Sequence, residues 1–277
     1  MFKKIIKVIG IFLLCGFSFF YTEKATKIIR KKDPIMIKIN ESKKENYIKT
    51  VKPIINDNEY YTGLNGCEVD VDKSYNKMKT IKEFKKELLV MKDINNNVDL
   101  KDKYIVGGNK VKKNISIIFL LNDDSNMNLI NYLNKRKIKN NYFVKMDFLE
   151  NNTSLIKMLS ENNNIYYYSD DYDDEYMIYS NNLIELNSNN KSNYCLLENK
   201  NDDILKICSD YNMKVVKTDF IKKDVFDNVK NKLDNGSIFL FDSDNIDEIK
   251  VSINYILSKG YNIVLLDELL NEKSLCK

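Results

Sequence analysis

The chain has 277 residues, enough for one large domain or a domain with a small accessory region, and its 43% apolar fraction supplies a core and excludes wholesale disorder. The net charge of +4 arises from 44 basic and 40 acidic side chains, a mixed balance that gives no case for a nucleic-acid partner, which calls for a clustered basic face. Histidine is absent, which removes the default general base near neutral pH, the usual zinc ligand and every Ser-His or Cys-His nucleophile pair.

Lys3, Lys4 and Lys7 precede an apolar stretch from Val8 to Tyr21, the layout of a signal peptide or a short signal anchor. Val8 to Tyr21 is too short to cross the ~30 Å hydrocarbon core as a helix. Adding Ile5 and Ile6, with Lys7 reaching to the headgroups, completes a thin span. An uncleaved anchor over residues 1–22 is preferred, because cleavage after Ser18 would start the mature chain at Phe19-Phe20-Tyr21. Leu14 is too bulky before Cys15 for a lipidated cysteine. Lys24, Lys27, Arg30, Lys31 and Lys32 follow the span, so the positive-inside count alone does not place the rest of the chain outside.

Residues 22–34 read as a basic helical stalk ending at Pro34, and Ile35 to Ile39 alternates as a short strand. Tyr61 to Gly66 is turn-rich, Val69 and Val71 suggest a strand, Ser74 to Lys79 a helix start, and Leu88 to Ile94 another strand. Residues 23–110 thus form a stalk and small α/β region, with Gly107-Gly108 as its boundary. From Asn114 strands and helices alternate. The strands are Ile115 to Leu121, Tyr142 to Met146, Ile165 to Tyr168, Met177 to Ile178, Val215-Val216, Ile238 to Phe241 and Ile263 to Leu266. Helices fall at Met127 to Leu133, Leu155 to Leu159, Ile204 to Tyr211, Val225 to Leu233, Ile246 to Ile256 (ended by Gly260) and Glu268 to Leu270. Repeated βα units with near-continuous apolar strands imply a parallel sheet covered by helices, open or closed into a barrel. Cys15, Cys67, Cys195, Cys208 and Cys276 are odd in number and form no C-x-x-C pair, so no disulfide framework is supported, and Cys208 reads as a small buried thiol.

Residues 113–272 resemble the polysaccharide deacetylase family, of the chitooligosaccharide and peptidoglycan deacetylase type. The likeness is carried by Ile130 to Val144, Asp203 to Val216, Gly236 to Phe241 and Lys259 to Leu270, which match family segments in order. It implies an α/β fold, a deformed (β/α) barrel of the glycoside hydrolase and deacetylase type over residues 111–277, preceded by the membrane-anchoring helix and the small α/β region. The family chemistry so implied is metal-assisted hydrolysis of an N-acetyl group, with a base Asp, a second Asp and two His on zinc or a similar divalent ion, an Arg and a late His.

Carried over by position, the T-F-D-D-G element falls on Ile118 to Asn122, so Leu120 and Leu121 replace both carboxylates. The H-x-x-x-H element falls on Tyr168 and Tyr172, the R-P-P-Y-G element falls near Tyr194 to Glu198 without an Arg, and the late His falls at or beside Asp242. Leucine gives a metal no lone pair, and a neutral phenol with pKa ~10 is a poor zinc ligand. The expectation is a surviving fold with no catalytic or metal residues and no cofactor, where the family would imply a divalent metal.

Several residues remain as candidates for binding. Asp123 and Asp124 lie just past the lost pair, as pocket carboxylates or helix caps. The loop Tyr166 to Tyr176 clusters phenols with carboxylates; Tyr167, Tyr168 and Tyr172 are candidates for stacking on sugars, against a plain solvated loop. Calcium on Asp170, Asp171, Asp173 and Asp174 is a further alternative without EF-hand spacing. Asp242 and Asp244 follow a strand where βα folds place ligands, or cap the next helix. The expected protein is a membrane-anchored, extracytoplasmic pseudoenzyme binding cell-envelope glycan or an envelope protein. The alternatives are an active metal-dependent N-deacetylase with a non-standard site and a scaffold without glycan. The deciding observation is whether the cleft above Leu120, Leu121, Tyr168 and Tyr172 is open or filled by their own side chains.

Overall fold

The computed structural model describes residues 16–18, 21–22, 24–26, 28–96, 98–121, 127–188, 190–273 and 276. The expected anchor falls largely on residues outside this set, as do Cys15, Asp123 and Asp124. Among the described residues no helix is long and apolar enough to cross a membrane. The chain divides into two compact units, residues 1–50 with 65–95 and 274–277, and residues 51–64 with 96–273.

The larger unit holds two mainly parallel sheets. Its strands are β1 (Ile54–Asn56), β2 (Glu59–Tyr61), β5 (Tyr104–Gly107), β6 (Asn114–Leu121), β7 (Asn141–Val144), β8 (Asn164–Tyr167), β9 (Tyr194–Leu197), β10 (Lys214–Lys217), β11 (Phe220–Ile221), β12 (Ile238–Phe241) and β13 (Asn262–Ile263). One sheet runs β1-β2-β5-β10-β9, and the other runs β11-β12-β6-β7-β8 with β13 on β6; β1 and β2 are the antiparallel pair. Alternation sorts their side chains. Ile105, Ile118, Leu120, Phe143, Tyr166, Leu196, Val216 and Leu240 fill a shared interior. Ile117, Phe119, Tyr142, Ile165, Cys195, Val215 and Phe239 pack outward with helix residues such as Ile130, Ile156, Cys208 and Ile253. An apolar interior enclosed by both sheets is the expected barrel-like arrangement.

The amino ends of the strands are closed by the helix Leu266–Leu270, which inserts Leu266, Leu269 and Leu270 into that interior. Its backbone is tied there: Leu266 N–H donates to Asn141 Oδ1 at 2.9 Å, and Asn141 in turn donates to Ser116 Oγ at 2.8 Å. Asn164 donates to both Asp267 and the Tyr166 hydroxyl at 2.8 Å. These buried polar groups satisfy one another, as burial demands.

The smaller unit packs the helices Pro34–Glu45 and Val71–Lys79 with the antiparallel pair β3 (Gly66–Val69) and β4 (Met91–Ile94) around Met36, Ile39, Val69, Tyr75 and Met78. The strand expected at Ile35 to Ile39 is instead the start of a helix. Asp33 caps it by accepting from Ile35 N–H, Pro34 fits its first turn, and the buried Met36 and Ile39 stand three apart. Met177-Ile178 likewise belongs to a helix, Asp174–Asn187, capped by Asp173 and burying Met177, Ser180 and Ile184. The final strand is cut to Asn262–Ile263.

Gly107-Gly108, expected as a boundary, lies within the larger unit. Residues 51–64 and 96–110, expected in the N-terminal region, give β1, β2 and β5 to the larger unit's sheet. A Cβ on Gly108 would stand 2.7 Å from Leu269, so glycine serves close packing there. The cysteine expectation is also corrected: Cys195 pairs with Cys208 and Cys67 with Cys276. Spacing could not show this, since Cys195 and Cys208 meet across the β9-to-helix layer.

A bond closing a loop of this size stabilises by about 3 kcal/mol. Cys195→Ser with Cys208→Ser is therefore expected to lower unfolding free energy by roughly 2–4 kcal/mol, and non-reducing peptide mapping should recover both linked pairs; unchanged denaturation would refute the first linkage.

Candidate functional site

The carboxyl ends of the parallel strands, where βα folds place their sites, carry the positions singled out in the sequence. Leu120, Phe143 and Tyr166 stand side by side in register on the inner face of β6, β7 and β8. Leu121, Val144 and Tyr167 occupy the next row and face the helices. The two leucines are therefore on opposite sides of the sheet. The same holds for the two phenols: Tyr168 lies with the inner cluster and Tyr172 with the outer one. Lying in opposite layers, the four do not line one cleft among the described residues, and each is buried.

Tyr168 closes the barrel mouth. Its N–H donates to Val144 O at 2.9 Å, extending the β7–β8 ladder by one bond. Its ring centroid is 6.2 Å from that of Phe220, and Lys145 Nζ stands 5.5 Å from its ring centre. The hydroxyl donates to Asp170 Oδ1 at 2.7 Å, and Lys145 Nζ meets Asp170 Oδ2 at 2.7 Å. Lys145, Asp170 and Tyr168 thus form a closed circuit. The Lys145 ammonium, then the Tyr168 hydroxyl, hold the Asp170 carboxyl below its ordinary range, while burial and then the Asp170 charge push the Tyr168 phenol up.

Tyr172 has a different task. β8 and β9 share no ladder, and side chains bridge the gap. Asn190 accepts from Ile165 N–H at 3.0 Å and donates to Ile165 O at 2.7 Å. Ser192 Oγ accepts from Tyr167 N–H at 3.0 Å. The Tyr172 hydroxyl accepts from Leu196 N–H at 3.0 Å and donates to Tyr167 O at 3.4 Å, and its ring packs edge-on to Tyr167 at 5.7 Å. Tyr167 and Tyr172 therefore have no free ring face for a sugar. The loop after the strand is solvated, with Asp170, Asp171, Asp173 and Asp174 exposed, but Tyr166, Tyr167, Tyr168 and Tyr172 are buried rather than at its edge. Of the loop's phenols Tyr176 is the exposed one, at 51%.

The other candidates separate in the same way. Tyr194 is an inner-face residue with its ring 5.4 Å from Tyr166, and burial followed by the Asp267 charge pushes its phenol up. Asp242 sits half-buried at the end of β12, where its N–H donates to Ile221 O at 3.0 Å, and its charge reaches the Tyr168 phenol. Asp244 is not the cap of the following helix; Asn245 is, accepting from Glu248 N–H. Of the suggested calcium carboxylates, Asp170 is held by Lys145 and Tyr168, Asp173 caps a helix and Asp174 lies in its first turn. Among the described residues no three His, Cys, Asp or Glu groups stand together as metal donors. Sequence reasoning missed Lys145, Asn190 and Ser192; the alternation of Ile165, Tyr166, Tyr167 and Tyr168 was the available sign that two of these phenols face inward and one outward.

Among the described residues this face carries a hollow of about 490 Å³ bordered by Lys145, Glu150, Asp170, Asp171 and Tyr176. That size is within the range of small-ligand sites.

No family model and no curated protein matches the chain in sequence. Among solved structures, a CE4 family pseudoenzyme from Bacillus anthracis has TM-score 0.61 at 22% identity, covering 88% of this chain and 97% of its own. The chain carries the family 4 carbohydrate esterase fold. A mutant of that pseudoenzyme with restored enzymatic activity has the same score and identity, covering 87% and 99%. The Bc1960 peptidoglycan N-acetylglucosamine deacetylase has TM-score 0.53 at 15% identity, covering 62% of this chain and 95% of its own. The expected fold relationship to the deacetylases thus holds, and the likeness to the pseudoenzyme reaches beyond residues 111–277.

Removing the Tyr172 hydroxyl strands the buried Leu196 N–H. Tyr172→Phe is expected to cost about 1–3 kcal/mol of stability, read by denaturant unfolding. A second expectation concerns pH. Burial raises the phenols of Tyr60, Tyr142, Tyr166, Tyr168, Tyr172 and Tyr194, and that of Tyr104 to about 12. Raised folded values mean this stability is complete below the unfolded phenol pKa of ~10 and is lost as pH climbs toward the folded values. Phenolate absorbance should therefore show exposed tyrosines ionising first and the buried set appearing only with cooperative unfolding.

Proposed function

We propose that the protein is a non-catalytic relative of the deacetylases in the cell envelope, tethered by its N-terminal segment and binding envelope glycan or an envelope protein without turning it over. The observation that carries this reading is the barrel mouth: Leu120 and Tyr168 sit at positions aligned with a carboxylate and an imidazole, and both are packed, with the phenol committed to Asp170. A zinc site needs about three good donors around an open position. Leu120 and Leu121 offer none, and the phenols of Tyr168 and Tyr172 are kept neutral by burial and engaged elsewhere. The donor set does not fit a divalent ion, so no hydrolytic step is assigned.

The likeness in fold to a pseudoenzyme that regained activity on mutation supports the same direction. An extracytoplasmic place is supported by the signal-like start and by the two disulfides, which persist in oxidising compartments. The binding face is the hollow beside Tyr176, whose exposed ring and surrounding carboxylates suit the faces and hydroxyls of sugar rings.

Purified protein is expected to release no acetate from N-acetylated oligosaccharides and to carry no stoichiometric metal. Retention on cell-wall glycan should fall at least tenfold with Tyr176→Ala. Acetate release together with bound metal would establish the alternative hydrolase. Retention on neither glycan nor any envelope protein in an in-cell pull-down would refute the binding role.

A further inference from the structure

The smaller unit contains a cavity of about 870 Å³ that the proposed glycan-binding role does not use. Its rim carries Arg30, Lys32, Lys79 and Lys82, and its walls include Ile29 and Ile35. The one carboxylate on the lining, Asp33, is already occupied, accepting from the Tyr75 hydroxyl at 2.7 Å and from Ile35 N–H at 2.8 Å. Among the described residues Lys32, Lys79 and Lys82 have no acidic partner. Arg30 is fixed in place, with its guanidinium 4.3 Å from the Tyr75 ring centre and 2.9 Å from Asp72, yet its Nε is buried without an acceptor. A guanidinium held beside the rim, three ammonium groups without an acidic partner and an apolar wall together suit a phosphate attached to a hydrocarbon body.

A second observation lies on the same polypeptide. The described residues between 16 and 32 are helical, and Phe17, Tyr21 and Ile28 are exposed along them. Their spacings of four and seven are those at which apolar residues recur on one face of an amphipathic sequence. An apolar stripe leading into a basic hollow is the arrangement by which a segment lies at a bilayer surface, its apolar residues among the acyl chains and its cations among the headgroups.

We propose that this cavity binds the phosphate headgroup of an anionic phospholipid, seating the smaller unit on the membrane leaflet into which the N-terminal segment runs. The inference rests on the tethered reading above and deepens it, since it gives the basic residues after the apolar stretch a partner on the outer side. Under the positive-inside count those residues argue against an external domain; lipid phosphates there neutralise them.

The test uses the full chain in neutral detergent micelles, titrated with phosphatidylglycerol and with phosphatidylcholine of the same acyl chains, and read by native mass spectrometry. Each basic residue near an anionic surface contributes about fivefold. The wild-type chain should retain phosphatidylglycerol at least tenfold more tightly than phosphatidylcholine. Lys32→Gln, Lys79→Gln and Lys82→Gln combined should abolish the preference while far-UV circular dichroism stays unchanged. Equal retention of the two lipids, or a preference that survives the triple substitution, overturns the site. Displacement of the lipid by inorganic phosphate at equal concentration assigns the cavity to free phosphate and overturns the lipid. The same spectra report whether residues 1–22 are present: a shortened chain that still selects phosphatidylglycerol refutes the tether alone, and an intact chain without selection refutes the cavity alone.

Discussion

The seam between β8 and β9 has no backbone ladder, and the barrel closes there through the side chains of Tyr172, Asn190 and Ser192. A buried N–H or C=O without a partner is expensive, so a sheet that opens between two strands must satisfy both edges by other means. Asn190 serves both backbone groups of Ile165, and Tyr172 links Tyr167 O to Leu196 N–H across the gap. This constraint fixes what Tyr172 can do. A phenol that completes the wall of the barrel is withdrawn from the mouth, and its ring holds Tyr167 in the outer layer with it.

The inner layer follows from the same closure. Strands that wrap around one axis must fill it, and here the filling is aromatic and aliphatic: Leu120, Phe143 and Tyr166 in one row, with Tyr194, Leu196 and Leu240 facing them. The Leu266–Leu270 helix seals the amino end, where Asn141 accepts from Leu266 N–H and Asn164 donates to Asp267. The carboxyl end is left with Tyr168 as its lid and the Lys145–Asp170 pair as the lid's latch. That pair is solvent-exposed, and exposed ion pairs contribute little to stability; its effect is on where the phenol points.

Much of this was legible in the residues. The near-continuous apolar runs at Ile115 to Leu121 and Ile238 to Phe241 declare buried parallel strands, and Ile246, Ile249, Ile253 and Ile256 declare a helix. The segments resembling the deacetylases fall in the βα units that place the mouth. The failures have local causes. At Ile35 to Ile39 an alternating apolar pattern also satisfies helical spacing, and the Asp33-Pro34 cap decides for helix. At Met177 the cap at Asp173 does the same. The disulfides and the seam depend on contacts between residues distant in sequence, such as Cys67 with Cys276, and no spacing rule reaches that far. The site was half legible. The absence of histidine and the apolar character of Leu120 and Leu121 are plain in the sequence, but a spacing of four between Tyr168 and Tyr172 suggests a shared cleft, whereas the two phenols belong to opposite layers.

The pattern of replacement has an energetic logic. A metal site is an island of charge in a low-dielectric wall, and its carboxylates are stable there because the ion pairs with them. Remove the imidazoles that complete the ligand set and the carboxylates become buried charges without a counterpart, each costing several kcal/mol. Apolar side chains at those positions remove that penalty, and filling the vacated volume avoids the cavity term that an alanine would leave. Leu120 and Leu121 meet both requirements, one in each layer, and Tyr168 covers the mouth while keeping its single polar atom within reach of Asp170. In a chain with no histidine anywhere, leucine at these two positions is therefore what stability favours, because an apolar side chain belongs to the packed layers on either side of the sheet without a buried charge to compensate.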